Sequence, residues 1–140
     1  MSTLQRAIEI ATQAHQGQFD KSGKDYIGHP LRVMEMGRTE EEKIAGVLHD
    51  VVEDSEWTFE ALETEGFSQE IIAALKCVTK LSENENYDDF IERVRRNPLA
   101  VAVKLNSADK FKIAFVSFFV GKCNDICTEF VVHFYSTPLL

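Results

Sequence analysis

The sequence predicts an all-α bundle of short helices. Three observations carry that expectation. Apolar residues recur at three- and four-residue spacing in segment after segment. Side chains that cap helix N-termini stand just ahead of those segments. No stretch sustains the period-two alternation of a half-buried strand.

Leu4, Ala7, Ile8, Ala11 and Ala14 place a first amphipathic helix over 3–16. Residues 17–28, rich in Gly, Asp, Lys and Ser, read as a loop. Pro30 suits a first helical turn, where its missing N–H needs no partner, so a second helix spans 30–37 and Gly37 stops it. Thr39 and Glu42 form a capping box for a third helix running to about Val52, with Ile44, Ala45, Val47, Leu48 and Val51 inward. Thr58 caps a short helix ending at Gly66, and Ser68 caps one over 69–81. Asn86 or Asp88 starts a helix to Arg96, and Pro98 opens another. The tail departs from this pattern. Six of the ten Phe residues follow Lys110, in runs such as Phe115–Val120 that lack helical spacing. That tail fits either a buried helix pair or a segment that needs a partner surface, so it is also the candidate homo-oligomer contact.

The chain of 140 residues is long enough for one domain with a core, and 44% apolar with 27% charged residues is ordinary for a globular protein. A net charge of -8 argues against a nucleic-acid surface, which needs clustered Lys and Arg. No stretch approaches the roughly 20 apolar residues of a membrane span. Three cysteines, an odd count, and no leader-like start suggest a reduced cytoplasmic setting.

The chemistry concentrates at His49-Asp50-Val51-Val52-Glu53-Asp54, with His29-Pro30 upstream. Imidazole and carboxylate together suit Mn²⁺, Fe²⁺ or Zn²⁺. Neighbours on a helix diverge by about 100°, so His49 and Asp50 reach one ion only beside a final turn, with His29 approaching from its own helix. The plain alternative is that His49 and Asp50 sit at a helix C-terminus, where His is favourable and Asp is not.

Several motifs stand in order: His15-Gln16-Gly17-Gln18, Ser22-Gly23, Tyr26-Ile27-Gly28-His29-Pro30-Leu31, Leu48 through Asp54, and Val78-Thr79-Lys80-Leu81. Together they resemble the HD-domain phosphohydrolases over residues 3–106. Within these the chain is most similar to the guanosine tetraphosphate (ppGpp) hydrolases of the stringent response, including their small stand-alone members. The resemblance implies an all-α HD-domain bundle and Mn²⁺-dependent hydrolysis of ppGpp to GDP and pyrophosphate. By position it implies His29, His49 and Asp50 as metal ligands, and Glu53 and Asp54 beside the attacking water. It also implies Lys21, Ser22 and Tyr26 as nucleotide contacts. For Glu53 and Asp54 the plain alternative is a solvated acidic loop, and for Lys21, Ser22 and Tyr26 an ordinary surface loop.

Two positions depart from the family pattern. Asp20 stands where the family usually has an Arg that stacks on guanine, a contact an acid cannot make. Ser107 stands where the run Lys104-Leu105-Asn106 should be followed by the last metal-ligand Asp. Asp109, two residues on, is the substitute candidate, rotated by about 200° on a helix. The match stops after Asn106, so the chain reads as a single domain, 1–140, with a divergent tail over 107–140, of the kind a reading-frame change produces. Elsewhere, Cys123, Cys127 and His133 lack a standard zinc spacing and read as buried cysteines and a stray His.

Three functions follow for test: an HD phosphohydrolase acting on ppGpp, a catalytically impaired nucleotide- or metal-binding module, and an HD phosphatase for another nucleotide. In each the partner is a small nucleotide.

Overall fold

A computed structural model describes residues 2–107, and eight helices are found there. They are α1 (Leu4–Ala14), α2 (Gly28–Glu35), α3 (Glu40–Leu48) and α4 (Val51–Asp54), then α5 (Phe59–Thr64), α6 (Gln69–Val78), α7 (Tyr87–Arg95) and α8 (Pro98–Ser107). Among the described residues there is no strand; one isolated bridge, Phe19 with Asp25, closes the loop between α1 and α2. The all-α expectation stands. Asp109, Cys123, Cys127, His133 and the Phe-rich tail lie outside the described residues.

Helix starts follow the capping residues. Thr3, Thr39, Thr58 and Ser68 each accept a backbone N–H three residues on. Asn86 caps α7 through the N–H of Asp88, and Asn97 caps α8 through the N–H of Ala100 at 3.0 Å. The Thr39–Glu42 box is half formed. Thr39 Oγ1 accepts from Glu42 N at 3.1 Å, but the Glu42 carboxylate reaches past Thr39 to accept from Arg38 N at 2.8 Å.

Three boundaries differ from the sequence reading. Helix α2 runs 28–35 rather than 30–37, so Pro30 stays in the first turn. The helix expected to reach Val52 stops at Leu48 and resumes as α4, with Asp50 at φ -104°, ψ -1° between the two. Helix α6 ends at Val78 instead of 81, because Thr79 turns extended at φ -95°, ψ 126°.

Helix α3 is the central element, packed against α1, α2, α6 and α8. Ile44, Ala45, Val47 and Leu48 meet Ala7, Ile10 and Ala11 of α1, Ile71, Ile72 and Leu75 of α6, and Val103 of α8 in one buried cluster. Trp57 packs on that cluster from its edge. Arg6 forks onto both Glu65 oxygens at 2.9 Å and ties α1 to the end of α5. No helix among the described residues is long and apolar enough to cross a membrane.

Candidate metal centre

The site lies where α2, the α3–α4 break and α8 meet. Gly46 makes this approach feasible. A Cβ there would sit 3.2 Å from Val33 Cγ1 and 3.3 Å from Met34 N, so a larger residue would press on α2 and glycine suits this close approach of α2 to α3. His29, near the start of α2, and His49, just past the end of α3, then come ring to ring, with centroids 5.3 Å apart.

His49 is buried, and its Nδ1 donates to the Gly46 carbonyl at 2.6 Å. That bond fixes the ring and leaves Nε2 facing the site, 3.0 Å from Asp50 Oδ2. His29 Nε2 lies 3.9 Å from the same oxygen. Asp50 heads α4 yet makes no capping bond with its side chain. Its carboxylate instead accepts the Tyr26 hydroxyl at 2.6 Å. One donor atom from each of His29, His49 and Asp50 lies within 4.8 Å of the other two. Two imidazoles and one carboxylate, converging with one ring oriented from behind, fit a borderline divalent ion such as Mn²⁺, Fe²⁺ or Zn²⁺.

Charge is concentrated here. Burial would raise the Asp50 carboxyl, but the hydrogen bond and charge of His49, then Tyr26 and His29, hold it well below the usual carboxylate range. Burial would likewise lower His49, yet the Asp50 hydrogen bond and charge leave its imidazole raised. Glu53 is pushed up by burial and by the charges of Asp50 and Asp54, against which Lys80 and Lys104 act. Asp54 is pushed up by burial and by Asp50.

An open cleft of about 220 Å³ faces the three donors and is lined also by Glu53, Lys80, Lys104 and Ser107. Lys104 rests its ammonium 5.1 Å above the Phe90 ring, and burial lowers its pKa. Lys80 is carried by a loop that Arg93 pins, through Glu85 and through the Thr79 carbonyl at 3.0 Å. Ser107 turns its hydroxyl back to the Lys104 carbonyl at 2.9 Å.

The expected residues divide. His29, His49, Asp50 and Glu53 come together at the cleft, and Asp54 follows on the exposed end of α4. Tyr26 is joined to Asp50. Lys21 and Ser22 are exposed on the α1–α2 loop and are not among the residues lining the cleft. The Asp20 carboxylate accepts from Ser22 N at 2.8 Å, Ser22 Oγ at 2.7 Å and Lys24 N at 3.0 Å, so it shapes that loop as an Asx turn. Sequence reasoning assigned no role to Gly46, Gln18 or Lys104. Gln18 carried a signal, since three residues beyond His15 at a helix end its amide reaches back, and its Oε1 accepts from His15 Nδ1 at 2.8 Å.

Residues 7–112 match a family model described as the HD domain. A probable GTP pyrophosphokinase of Mycobacterium leprae is 37% identical over 117 residues, which cover 75% of this chain and 15% of that protein. A guanosine-3′,5′-bis(diphosphate) 3′-pyrophosphohydrolase of Aquifex aeolicus is 34% identical over 114 residues, 74% of this chain and 16% of that protein. A GTP pyrophosphokinase of Streptomyces coelicolor is 32% identical over 114 residues, 73% and 13% respectively. The chain thus spans less than a fifth of the length of these curated relatives.

Proposed function

The chain belongs to the HD-domain family, and from that premise we propose that it is a metal-dependent phosphohydrolase acting on a nucleotide pyrophosphate, with ppGpp the first substrate to test. Supporting the substrate class, relatives such as the Aquifex aeolicus protein are named for hydrolysis of that compound. The observation that carries the proposal is the convergence of His29, His49 and Asp50 within 4.8 Å at the edge of a cleft that also holds a carboxylate and two lysines.

His29, His49 and Asp50 would hold the ion, Mn²⁺ in this proposal. When bound, such an ion supplies Lewis acidity and screens phosphate charge. The remaining work falls to the chain's own groups. Glu53, its carboxyl raised by burial and by the charges of Asp50 and Asp54, accepts the proton of the attacking water, and Asp54 beside it helps to orient that water. Formation of GDP and pyrophosphate requires attack at the phosphorus joined to the ribose 3′ oxygen and cleavage of that P–O bond. Lys104 and Lys80 offer cationic partners to the phosphate oxygens. Lys21, Ser22 and Tyr26 are assigned to the nucleotide by family position. The catalytic unit in this proposal is residues 3–106, within one domain whose tail from 107 diverges.

Ser107 favours a second reading. It lines the cleft without a carboxylate, and its hydroxyl is spent on the Lys104 carbonyl. A site with one ligand fewer would bind nucleotide or metal without turnover. Pyrophosphate and phosphate release from ppGpp and a nucleotide panel, with Mn²⁺ and with chelator, separates these. Mn²⁺-dependent pyrophosphate release from ppGpp is expected. Release from another nucleotide alone would move the substrate and give weight to Asp20 in base selection. No release from any would leave the binding module.

A further inference from the structure

Asp50 and the Glu53–Asp54 turn are held from outside by three residues at the C-terminal end of α1 and in the loop after it. The Tyr26 hydroxyl donates to Asp50 Oδ2 at 2.6 Å. The Tyr26 ring is in turn flanked by the His15 ring, centroids 5.0 Å apart, and the His29 ring, 5.9 Å. Gln18 Nε2 donates to the Asp54 carbonyl at 2.8 Å and to the Ala14 carbonyl at 3.3 Å. With its NH₂ facing two carbonyls, the Gln18 oxygen must face His15, whose Nδ1 is therefore the donor. His15 is 2% exposed, and its Nε2 has no hydrogen-bond partner. An unpaired buried nitrogen costs stability, so His15 is not the side chain that stability alone would select.

We propose that Tyr26, together with the His15–Gln18 pair, is a positioning device: Tyr26 orients the metal-ligating carboxylate of Asp50, and Gln18, aligned by His15, fixes the Asp54 end of α4. Tyr26 then acts on the ion through Asp50, in place of the nucleotide contact that family position gives it. This rests on the metal centre proposed above, and its main readout needs no turnover. Partners of this kind behind a metal ligand typically contribute about 10–100-fold to affinity.

The test measures Mn²⁺ affinity, by the loss of the free-ion EPR signal, for wild type and Tyr26→Phe, with far-UV CD to compare folds. Positioning gives Mn²⁺ binding weakened at least about tenfold with an unchanged KM at saturating Mn²⁺. A nucleotide contact gives unchanged Mn²⁺ binding and a raised KM, and overturns the proposal. Gln18→Glu keeps an acceptor for His15 but turns an oxygen toward the Asp54 carbonyl. It should lower kcat while leaving KM and Mn²⁺ affinity unchanged; unchanged kcat overturns the Gln18 arm. Should Tyr26→Phe not fold, wild type carrying 3-fluorotyrosine serves instead. One ¹⁹F resonance, assigned to Tyr26, should shift on Zn²⁺ addition, and its failure to move would count against the proposal. If wild type hydrolyses nothing, the hydrolase assignment fails while the Mn²⁺ and ¹⁹F arms still decide the role of Tyr26.

Discussion

Asp50 stands just ahead of α4 but makes no capping bond with its side chain, which is turned to His49 and Tyr26. His49 competes with itself, since the nitrogen that would bind an ion is the one that a proton takes beside Asp50. Its folded pKa is raised, so its contribution to the stability of the metal-free protein is fully present below the unfolded value near about 6.5 and is lost as pH rises through the folded value. Metal binding runs the opposite way, because it needs that nitrogen unprotonated. The rise in Tm on adding Mn²⁺ should therefore be larger at about pH 8 than at about pH 6, where His residues titrate; thermal scans at the two pH values check it, and a larger rise at the lower pH would contradict the assignment of His49. Ser107 gives the converse case. It lines the cleft with no charge, so Ser107→Asp should bring one more carboxylate toward the three donors and tighten Mn²⁺ binding by about tenfold or more. Calorimetric titration of that variant reads the change directly.

At the scale of elements, most helix starts were legible because capping is local chemistry. Thr39, Thr58, Ser68 and Asn86 all perform it where the sequence pattern put them, and Thr3 does so at a start the pattern had placed inside the helix. Helix ends were less legible where tertiary contacts decide them. The apolar spacing of Leu48 and Val51 suits a continuous helix, but the chain departs from helical geometry at Asp50, whose carboxylate meets Tyr26 and His49. At Thr79 the chain turns extended and its carbonyl goes to Arg93, a partner 14 residues away that no local pattern reveals. Gly46 is the element-level residue on which the site depends most. Gly46→Ala should press α2 off α3 and cost about 1–3 kcal/mol as an overpacked contact. It should also weaken Mn²⁺ binding, because His29 and His49 ride on those two helices. Denaturant melts alongside metal titration check both effects; lost stability with unchanged affinity would show that the spacing of the helices does not set the site.

For the molecule as a whole, the proposed metal centre joins α2, the α3–α4 break and the cleft lined from α8, so an ion held there should link to global stability. With the ion at about a hundred times its Kd, the linkage is about 2.7 kcal/mol. At roughly 4 °C per kcal/mol for a domain of this size, chelator should thus lower Tm by about 10 °C. The grouping of His29, His49 and Asp50 with the nearby Glu53 was legible because ordered motifs carry those residues. The bracing by Tyr26, Gln18 and His15 was not, because it depends on how a loop folds over a helix end rather than on spacing. The role of Asp20 was illegible for the same reason: its three acceptor bonds appear only once the turn is closed.

The most direct measurement is the stoichiometry of Mn²⁺ binding, followed by the free-ion EPR signal, in wild type and in Asp50→Asn. One ion per chain in wild type, lost or weakened by orders of magnitude in the variant, is the expected result. Equal binding by both proteins would place any ion elsewhere and contradict a metal centre at His29, His49 and Asp50.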